Sequence, residues 1–229
     1  MSAARSLAGI CVVVPAAGIG SRLSSQTPKQ YLTLQGKTVL EVTLARLLAL
    51  NPDRLVLVVS ASDERYQKIP LVDACEVVSG GELRSDSVMS GLNALHIAAH
   101  EFVMVHDAVR PCVRTPDILH LKDEVKDEPA GGLLAVPVID TLKLTTTDTV
   151  TTPDRRDLWH AQTPQMFRYG VLRDAISNGD RATMTDESSA VEMAGYQPKL
   201  VPGHRDNIKI TSPGDVELAQ FYLETGACE

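Results

Sequence analysis

The sequence predicts an α/β fold, a Rossmann-like and mostly parallel sheet flanked by helices. Short apolar runs rich in valine, isoleucine and leucine alternate along the chain with segments of helical periodicity, which is the pattern of βαβ units. The first run, residues 10–14, has no polar alternation, so we expect a strand covered on both faces. With 229 residues and 44% hydrophobic content, the chain is long enough for the single domain that we predict over residues 1–229.

The later elements are predicted in chain order from the same signals. Thr38 and Glu41 form a capping box before a leucine-rich helix, and Ser212 with Pro213 opens the last helix. Other helices are expected over residues 88–99, from Thr115 and after Thr185. Further strands are expected at residues 54–60, 75–79, 102–106, 131–138 and 206–211.

Residues 137–160 differ from the rest of the chain. Between residues 141 and 152, threonines alternate with apolar residues, and no helical period is present. This pattern predicts an extended β-ribbon that projects from the body as an arm. Because isolated hairpins are marginally stable, such an arm needs another surface to be ordered.

Charge and composition exclude several classes of function. The formal net charge is −7, whereas nucleic acids and anionic membranes select basic surfaces, so we predict neither as a partner. No apolar run approaches the ~20 residues of a membrane span, and the first residues lack the pattern of a signal peptide. The four cysteines are widely spaced without a C-x-x-C pair, which favours reduced thiols and a cytoplasmic location.

A loop of small residues follows the first predicted strand and is suited to phosphate. Small side chains let a phosphate chain approach backbone N–H groups, and Arg22 and Lys29 supply two nearby cations. The small residues are Pro15, Ala16, Ala17, Gly18 and Gly20. A dinucleotide fingerprint is excluded because Leu23 replaces the third glycine, and a P-loop is excluded because Tyr31 stands where its leading glycine belongs.

Five motifs in order carry a resemblance to a known family. They are the small-residue loop with Gly-x-Gly-x-Arg followed by Pro-Lys-Gln-Tyr at 28–31, Gly-Gly-Glu at 80–82, Asp-Ala-Val-Arg-Pro at 107–111, Trp-His-Ala-Gln-Thr-Pro-Gln at 159–165, and Asn-Ile-Lys-Ile-Thr at 207–211. Over about residues 10–223 the chain resembles the sugar-phosphate nucleotidyltransferases, specifically the cytidylyltransferases of isoprenoid precursor synthesis. The resemblance implies a GT-A-like fold and a homodimer formed through the arm.

The resemblance also implies a reaction and its residues. The phosphate of 2-C-methyl-D-erythritol 4-phosphate would attack the α-phosphorus of CTP and release pyrophosphate, with Mg²⁺ held by Asp107 or by the CTP phosphates. The implied catalytic cations are Arg22, Lys29 and Lys209. The implied nucleotide-binding residues are Pro15, Ala16, Ala17, Gly18, Gly20, Gly81, Glu82, Ser87 and Asp107. The implied acceptor-binding residues are Asp107, Arg110, Thr141, Arg155, Thr163, Thr185 and Lys209.

The chemistry of the reacting groups agrees with this residue set. A phosphate monoester has a second pKa near ~6, so the nucleophile is mostly dianionic at neutral pH and needs no general base. The barrier is instead repulsion between two anions, which cations reduce. Three alternatives stay open at this point: a ribitol 5-phosphate cytidylyltransferase, a module that binds CTP without turning it over, and Arg156 rather than Arg155 as the acceptor-binding arginine of the arm.

Overall fold

The computed structural model describes residues 6–18 and 27–228, which form eleven strands and six α-helices. The strands are β1 Cys11–Pro15, β2 Thr33–Leu34, β3 Lys37–Thr38, β4 Arg54–Val59, β5 Glu76–Ser79, β6 Phe102–Val105, β7 Gly131–Pro137, β8 Leu144–Thr145, β9 Val150–Thr151, β10 Trp159–Arg168 and β11 Lys199–Pro202. The helices are α1 Val39–Leu48, α2 Arg84–Ala94, α3 Thr115–Val125, α4 Tyr169–Asn178, α5 Glu187–Met193 and α6 Pro213–Glu224.

Seven of these strands form the central sheet in the order β11-β7-β10-β6-β1-β4-β5. β1 pairs in parallel with both β4 and β6, β4 with β5, and β11 with β7, whereas β10 runs antiparallel to both of its neighbours. The predicted mostly parallel sheet flanked by helices is therefore confirmed. The antiparallel β10 was not predicted, because its polar sequence lacks the apolar run of a buried strand.

Both faces of the sheet are covered, as the unbroken apolar run of β1 predicted. Val12 and Val14 belong to the core on one face, which α1 and α3 cover. Cys11 and Val13 belong to the core on the other face, which α2, α4 and α5 cover. Neighbouring side chains of a strand point to opposite faces, so β1 needs apolar residues at every position.

The chain changes direction across β1, and this places the site. After β1 it builds β4 and β5 on one side, then crosses to β6 on the other side. In sheets of this kind, ligands bind outside the carboxyl ends of the strands at the point where the order reverses. The small-residue loop after β1 and Asp107 after β6 lie at this crevice.

Two predicted elements differ from the structure. The helix expected over residues 88–99 starts earlier, at Arg84, and ends at Ala94. The strand expected at residues 206–211 is wrong, since this segment lies outside the sheet. Its backbone hydrogen bonds are made locally and to a loop: the Ile208 N–H donates to the Asp206 carbonyl, and the Ile210 N–H donates to the Val109 carbonyl, at 2.7 and 2.9 Å.

A third, smaller core fixes this segment. Ile210 is fully buried with Leu34 of β2, Val39 of α1 and Ala219 of α6. Ser212 caps α6, and Asp215 accepts hydrogen bonds from the N–H groups of Thr211 and Ser212. The C-terminal helix therefore holds the chain that carries Lys209 against the crevice.

The arm forms a short hairpin in which β8 and β9 pair antiparallel. All four strand residues are exposed, including Leu144 at 59% and Val150 at 68%. Such a two-stranded hairpin is only marginally stable by itself. Among the helices described, none is long and apolar enough to cross a membrane.

Candidate active site

The first cleft, of about 220 Å³, lies at the carboxyl ends of β1, β5 and β6. Gly80 brings two of its walls together, because a Cβ on this residue would lie 2.6 Å from both Ala17 Cβ and Ser87 Oγ. The predicted site residues that line this cleft are Pro15, Ala16, Ala17, Gly18, Lys29, Gly81, Glu82, Ser87, Asp107 and Lys209. Gly20 and Arg22 lie outside the described residues.

Gln30 fixes the small-residue loop. Its side chain is buried, and its amide nitrogen donates to the carbonyls of Ala16 and Gly18 at 2.8 and 3.3 Å. Both carbonyl oxygens therefore accept a hydrogen bond from the Gln30 side chain. Contacts within the protein therefore hold residues 16–18 of the loop in place.

Lys29 and Lys209 meet at the same cleft although 180 positions separate them in the sequence. Lys29 Nζ donates to the carbonyl of Thr211 at 3.1 Å, two residues beyond Lys209. Lys209 Nζ lies 2.8 Å from Asp107 Oδ2, and its side chain remains 41% exposed. Two of the three predicted catalytic cations therefore line one cleft.

Asp107 faces three cationic side chains. Arg84 donates to its Oδ1 from Nη2 at 2.9 Å and from Nε at 3.2 Å, Lys209 reaches Oδ2, and Arg110 Nε lies 3.6 Å from Oδ2. Burial alone would raise the pKa of Asp107, but Arg84, Lys209 and Arg110 outweigh it and hold the pKa well below its ordinary value. The carboxylate therefore stays ionised at neutral pH.

An irregularity in β10 positions Thr163 beside Asp107. The pairing with β7 shifts register between Ala161 and Gln165, so residues 162–164 stand opposite Leu134 alone. Such bulges redirect side chains and are frequent next to active sites. The Thr163 hydroxyl here accepts the backbone N–H of Asp107 at 3.0 Å.

His106 also contacts the Thr163 hydroxyl, and its tautomer follows from its two partners. Nε2 lies 3.2 Å from the Arg110 carbonyl, which can only accept, so Nε2 carries the hydrogen. Nδ1 then accepts from Thr163 Oγ1 at 3.1 Å. A phosphate dianion also needs a donor, so Thr163 can donate to it only when its hydrogen turns away from His106.

Burial makes His106 a source of pH-dependent stability. Its side chain is fully buried, and this lowers its pKa to about 4 from 6.5. Between these values the unfolded chain binds the proton more tightly, so stability is complete above pH 6.5 and is lost as the pH falls towards 4. We expect the free energy of unfolding to fall by about 2 kcal/mol between pH 7 and pH 5 through this group.

Urea denaturation at the two pH values tests this prediction. His106→Asn should lose that part of the pH dependence, whatever its stability at pH 7. His100→Asn, at an exposed position, is the matched control and should keep it. An unchanged difference between pH 7 and pH 5 in His106→Asn would show that the buried imidazole is not the titrating group.

The second cleft, of about 280 Å³, adjoins the first. The predicted acceptor residues that line it are Asp107, Arg110, Thr163, Thr185 and Lys209. Arg84, Asp107 and Lys209 line both clefts and form the wall between them. An anion in one cleft and an anion in the other would thus meet across a wall that carries two cations and one carboxylate.

Thr141 and Arg155 do not line either cleft of their own chain. Both belong to the arm, where Arg155 Nη1 donates to the carbonyl of Ile139. Arg156 instead pairs with Asp154 through its Nη2 and is 84% exposed. Within one chain, the arm residues are therefore separated from the five acceptor residues that the second cleft brings together.

Four further residues at the site, for which the sequence alone indicated no role, are Gln30, Arg84, Glu187 and Asn207. Arg84 stands in the glycine-rich run after β5, and Gln30 stands in the run 28–31, so their positions beside motif residues could have indicated them. Asn207 donates to the Thr163 carbonyl at 2.8 Å, and Glu187 pairs with Arg84. Those contacts join distant segments, and no spacing along the chain reveals them.

The described side chains do not form a metal cage. Residues 6–18 and 27–228 contain no group of three or more His, Cys, Asp or Glu that could hold a metal ion. Both oxygens of Asp107 already face cationic side chains. Mg²⁺ commonly binds proteins through one or two carboxylates together with substrate phosphates.

The chain matches one known protein family over most of its length. The sequence model of the family described as IspD, 2-C-methyl-D-erythritol 4-phosphate cytidylyltransferase, matches residues 10–225. The chain is 49% identical over 225 residues to the enzyme of that name from Aliivibrio fischeri strain MJ11, and 46% identical over 223 residues to that from Klebsiella pneumoniae, with 94% of each chain covered in both cases.

Solved structures show the same fold. The crystal structure of the 2-C-methyl-D-erythritol 4-phosphate cytidylyltransferase from Francisella tularensis superposes with a TM-score of 0.79 at 38% identity, covering 93% of this chain and 98% of the other. A crystal structure described as 4-diphosphocytidyl-2C-methyl-D-erythritol synthase gives 0.81 at 35% identity, covering 93% and 97%.

Proposed function

Because the chain belongs to the 2-C-methyl-D-erythritol 4-phosphate cytidylyltransferase family, we propose that the two adjoining clefts hold the two substrates of that reaction. The protein transfers the cytidylyl group of CTP to 2-C-methyl-D-erythritol 4-phosphate and releases pyrophosphate, a step of isoprenoid precursor synthesis. The observation that carries the placement is the wall of Arg84, Asp107 and Lys209 between the clefts.

CTP occupies the first cleft in this proposal. The triphosphate lies along the small-residue loop, Pro15 to Gly18 with Gly20, where backbone N–H groups can approach phosphate oxygens. Cytosine and ribose lie against Gly81, Glu82 and Ser87 after β5. Lys29 and Arg22 neutralise the side of the departing pyrophosphate.

Gln30 should contribute to CTP binding without touching the reacting atoms. Gln30→Leu removes both hydrogen bonds to the loop, so we expect KM for CTP to rise about tenfold or more while kcat changes less. Steady-state kinetics with varied CTP measures this effect. Gln220→Leu, an exposed glutamine on α6, should leave both constants unchanged. A variant Gln30→Leu with an unchanged KM would show that the loop keeps its shape without this side chain.

The acceptor occupies the second cleft in this proposal. Its hydroxyl groups face Asp107, and its phosphate faces Arg110, Thr163, Thr185 and Lys209. The phosphate oxygen attacks the α-phosphorus, the bond to the β-phosphate oxygen breaks, and pyrophosphate leaves. Because the dianion needs no base, the neutral and buried His106 is suited to holding Thr163 rather than to proton transfer.

A divalent cation, Mg²⁺ or another, would be held by the triphosphate and, on the protein side, by Asp107 in this proposal. It would supply further neutralisation of the phosphate charge. Both oxygens of Asp107 also contact cationic side chains, those of Arg84 and Lys209. We place the reaction in the cytoplasm, where both substrates are soluble.

A homodimer completes the acceptor site in this proposal. Each arm reaches the second cleft of the partner subunit with Thr141 and Arg155. Two observations support it: the arm's apolar residues are exposed, and Thr141 and Arg155 lie away from the clefts of their own chain. Arg155 is preferred to Arg156 because Arg156 is paired with Asp154.

Pyrophosphate release tests the proposal as a whole. Purified protein with CTP, Mg²⁺ and 2-C-methyl-D-erythritol 4-phosphate should release one pyrophosphate for each acceptor consumed. Ribitol 5-phosphate is the control acceptor and should react far more slowly. Binding of CTP without release in either mixture would show a nucleotide-binding module instead, and equal rates would show that the second cleft does not select the polyol.

A further inference from the structure

We propose that Arg84 is a positioning residue that holds the carboxylate of Asp107 towards the acceptor, and that Glu187 holds Arg84. This inference rests on the proposed function, since it concerns the acceptor in the second cleft. Arg84 begins α2, directly after the loop that borders the first cleft. Glu187 begins α5, next to Thr185 and Asp186, which line the second cleft. The arginine thus links the two substrate sites.

The geometry divides the guanidinium between two buried carboxylates. Nη1 and Nη2 donate to the two oxygens of Glu187 at 2.6 and 3.0 Å, while Nη2 and Nε donate to Oδ1 of Asp107 at 2.9 and 3.2 Å. The side chain of Glu187 is only 2% exposed and that of Asp107 is 8% exposed. A planar group with fixed donors can bridge two carboxylates in this way, whereas a lysine ammonium cannot present the same fork.

The two carboxylates depend on Arg84 in different ways. Burial raises the pKa of Glu187 above its usual value, and Arg84 is the group that counters this effect. Asp107 differs, because Lys209 and Arg110 face its other oxygen. Without Arg84, the carboxylate would keep its charge but lose the two donors that fix Oδ1, so it could rotate towards Lys209. A rotated carboxylate would no longer present the same oxygen to the acceptor.

A pair of variants separates positioning from stability. Arg84→Met leaves Glu187 buried and unpaired, so it should lower both Tm and acceptor affinity. Arg84→Met with Glu187→Met replaces the buried pair by apolar chains of similar length, and Tm should return to within about 2 °C of the wild type. We expect the double variant to keep KM for the acceptor raised by roughly tenfold to a hundredfold. Its Kd for CTP, titrated without acceptor, should change less than about threefold.

Arg181→Met is the matched control. Arg181 pairs at 2.8 Å with Asp86, which lies on α2 as Arg84 does. Arg181 lines neither cleft, so its loss should leave KM for the acceptor unchanged. Recovery of both Tm and KM in the double variant would overturn the inference, because Arg84 would then be structural only. Equal losses of CTP and acceptor affinity would also overturn it.

Two further measurements keep the test decisive. If the double variant does not regain its Tm, Arg84→Lys is tested in its place. The lysine keeps a charge beside Glu187 but cannot bridge the two carboxylates. A wild-type KM for the acceptor in folded Arg84→Lys would overturn the inference. Wild-type pyrophosphate release is measured first. Its absence would refute the proposed placement of substrates, whereas normal wild-type release with unshifted variants would refute only the role of Arg84.

Discussion

Replacing Lys209 by alanine is expected to lower kcat for cytidylyl transfer by about 10²–10³, because one cation of the transition state would be lost. Its Nζ lies 2.8 Å from Asp107 on the wall between the clefts, where the two phosphates would meet. Charge grows there as the acceptor oxygen approaches the α-phosphorus. An interaction that strengthens in this way acts mainly on kcat rather than on substrate binding.

The fold should tolerate this change. Asp107 would still face Arg84 and Arg110, so its buried carboxylate keeps a counter-charge, and Tm should move little. Lys199→Ala is the matched control, since Lys199 pairs with Glu124 and Glu128 at the far edge of the sheet. Steady-state kinetics with both substrates varied gives the result. A normal kcat with only a raised KM for either substrate would assign Lys209 to ground-state binding instead.

Mixing two inactive variants should restore activity if the arm acts across a dimer. Lys29→Ala damages the first cleft of its own chain, and Arg155→Ala damages the arm. In a hybrid dimer, one site combines an intact cleft with the partner's intact arm, while the other site carries both changes. Random exchange of equal amounts would make about a quarter of all sites wild type. We therefore expect about a quarter of wild-type activity, from two preparations that are each at least about 10²-fold less active.

The same experiment distinguishes an arm that serves its own chain. In that case every site of a hybrid would contain one damaged residue, and mixing would restore nothing. Hybrid formation must be shown independently, for example by pull-down of an untagged variant with a tagged one. Hybrids without recovery would refute the exchange of arms. Arg156→Ala mixed with Lys29→Ala is the control, and Arg156→Ala alone should remain active because that arginine pairs with Asp154.

Local patterns predicted those elements whose cause is local. The unbroken apolar run of β1, the Thr38 cap of α1 and the Ser212 cap of α6 all agree with the structure. The segment with Lys209 was predicted as a strand, but it lies outside the sheet. Its position is set by the third core around Ile210 and by the Val109 carbonyl, neither of which is adjacent in sequence.

By itself, the sequence determined the α/β class, the position of the small-residue loop after β1 and the family. The periodicity of apolar residues, the spacing of glycines and the order of motifs can all be read along the chain. Only the tertiary structure decided that Lys29 and Lys209 share one cleft, that Arg84 links Glu187 to Asp107, and that Thr141 and Arg155 lie away from the clefts of their own chain. The physical reason is that charged side chains acquire their partners when the sheet brings distant strand ends together. Spacing along the chain carries no record of those contacts.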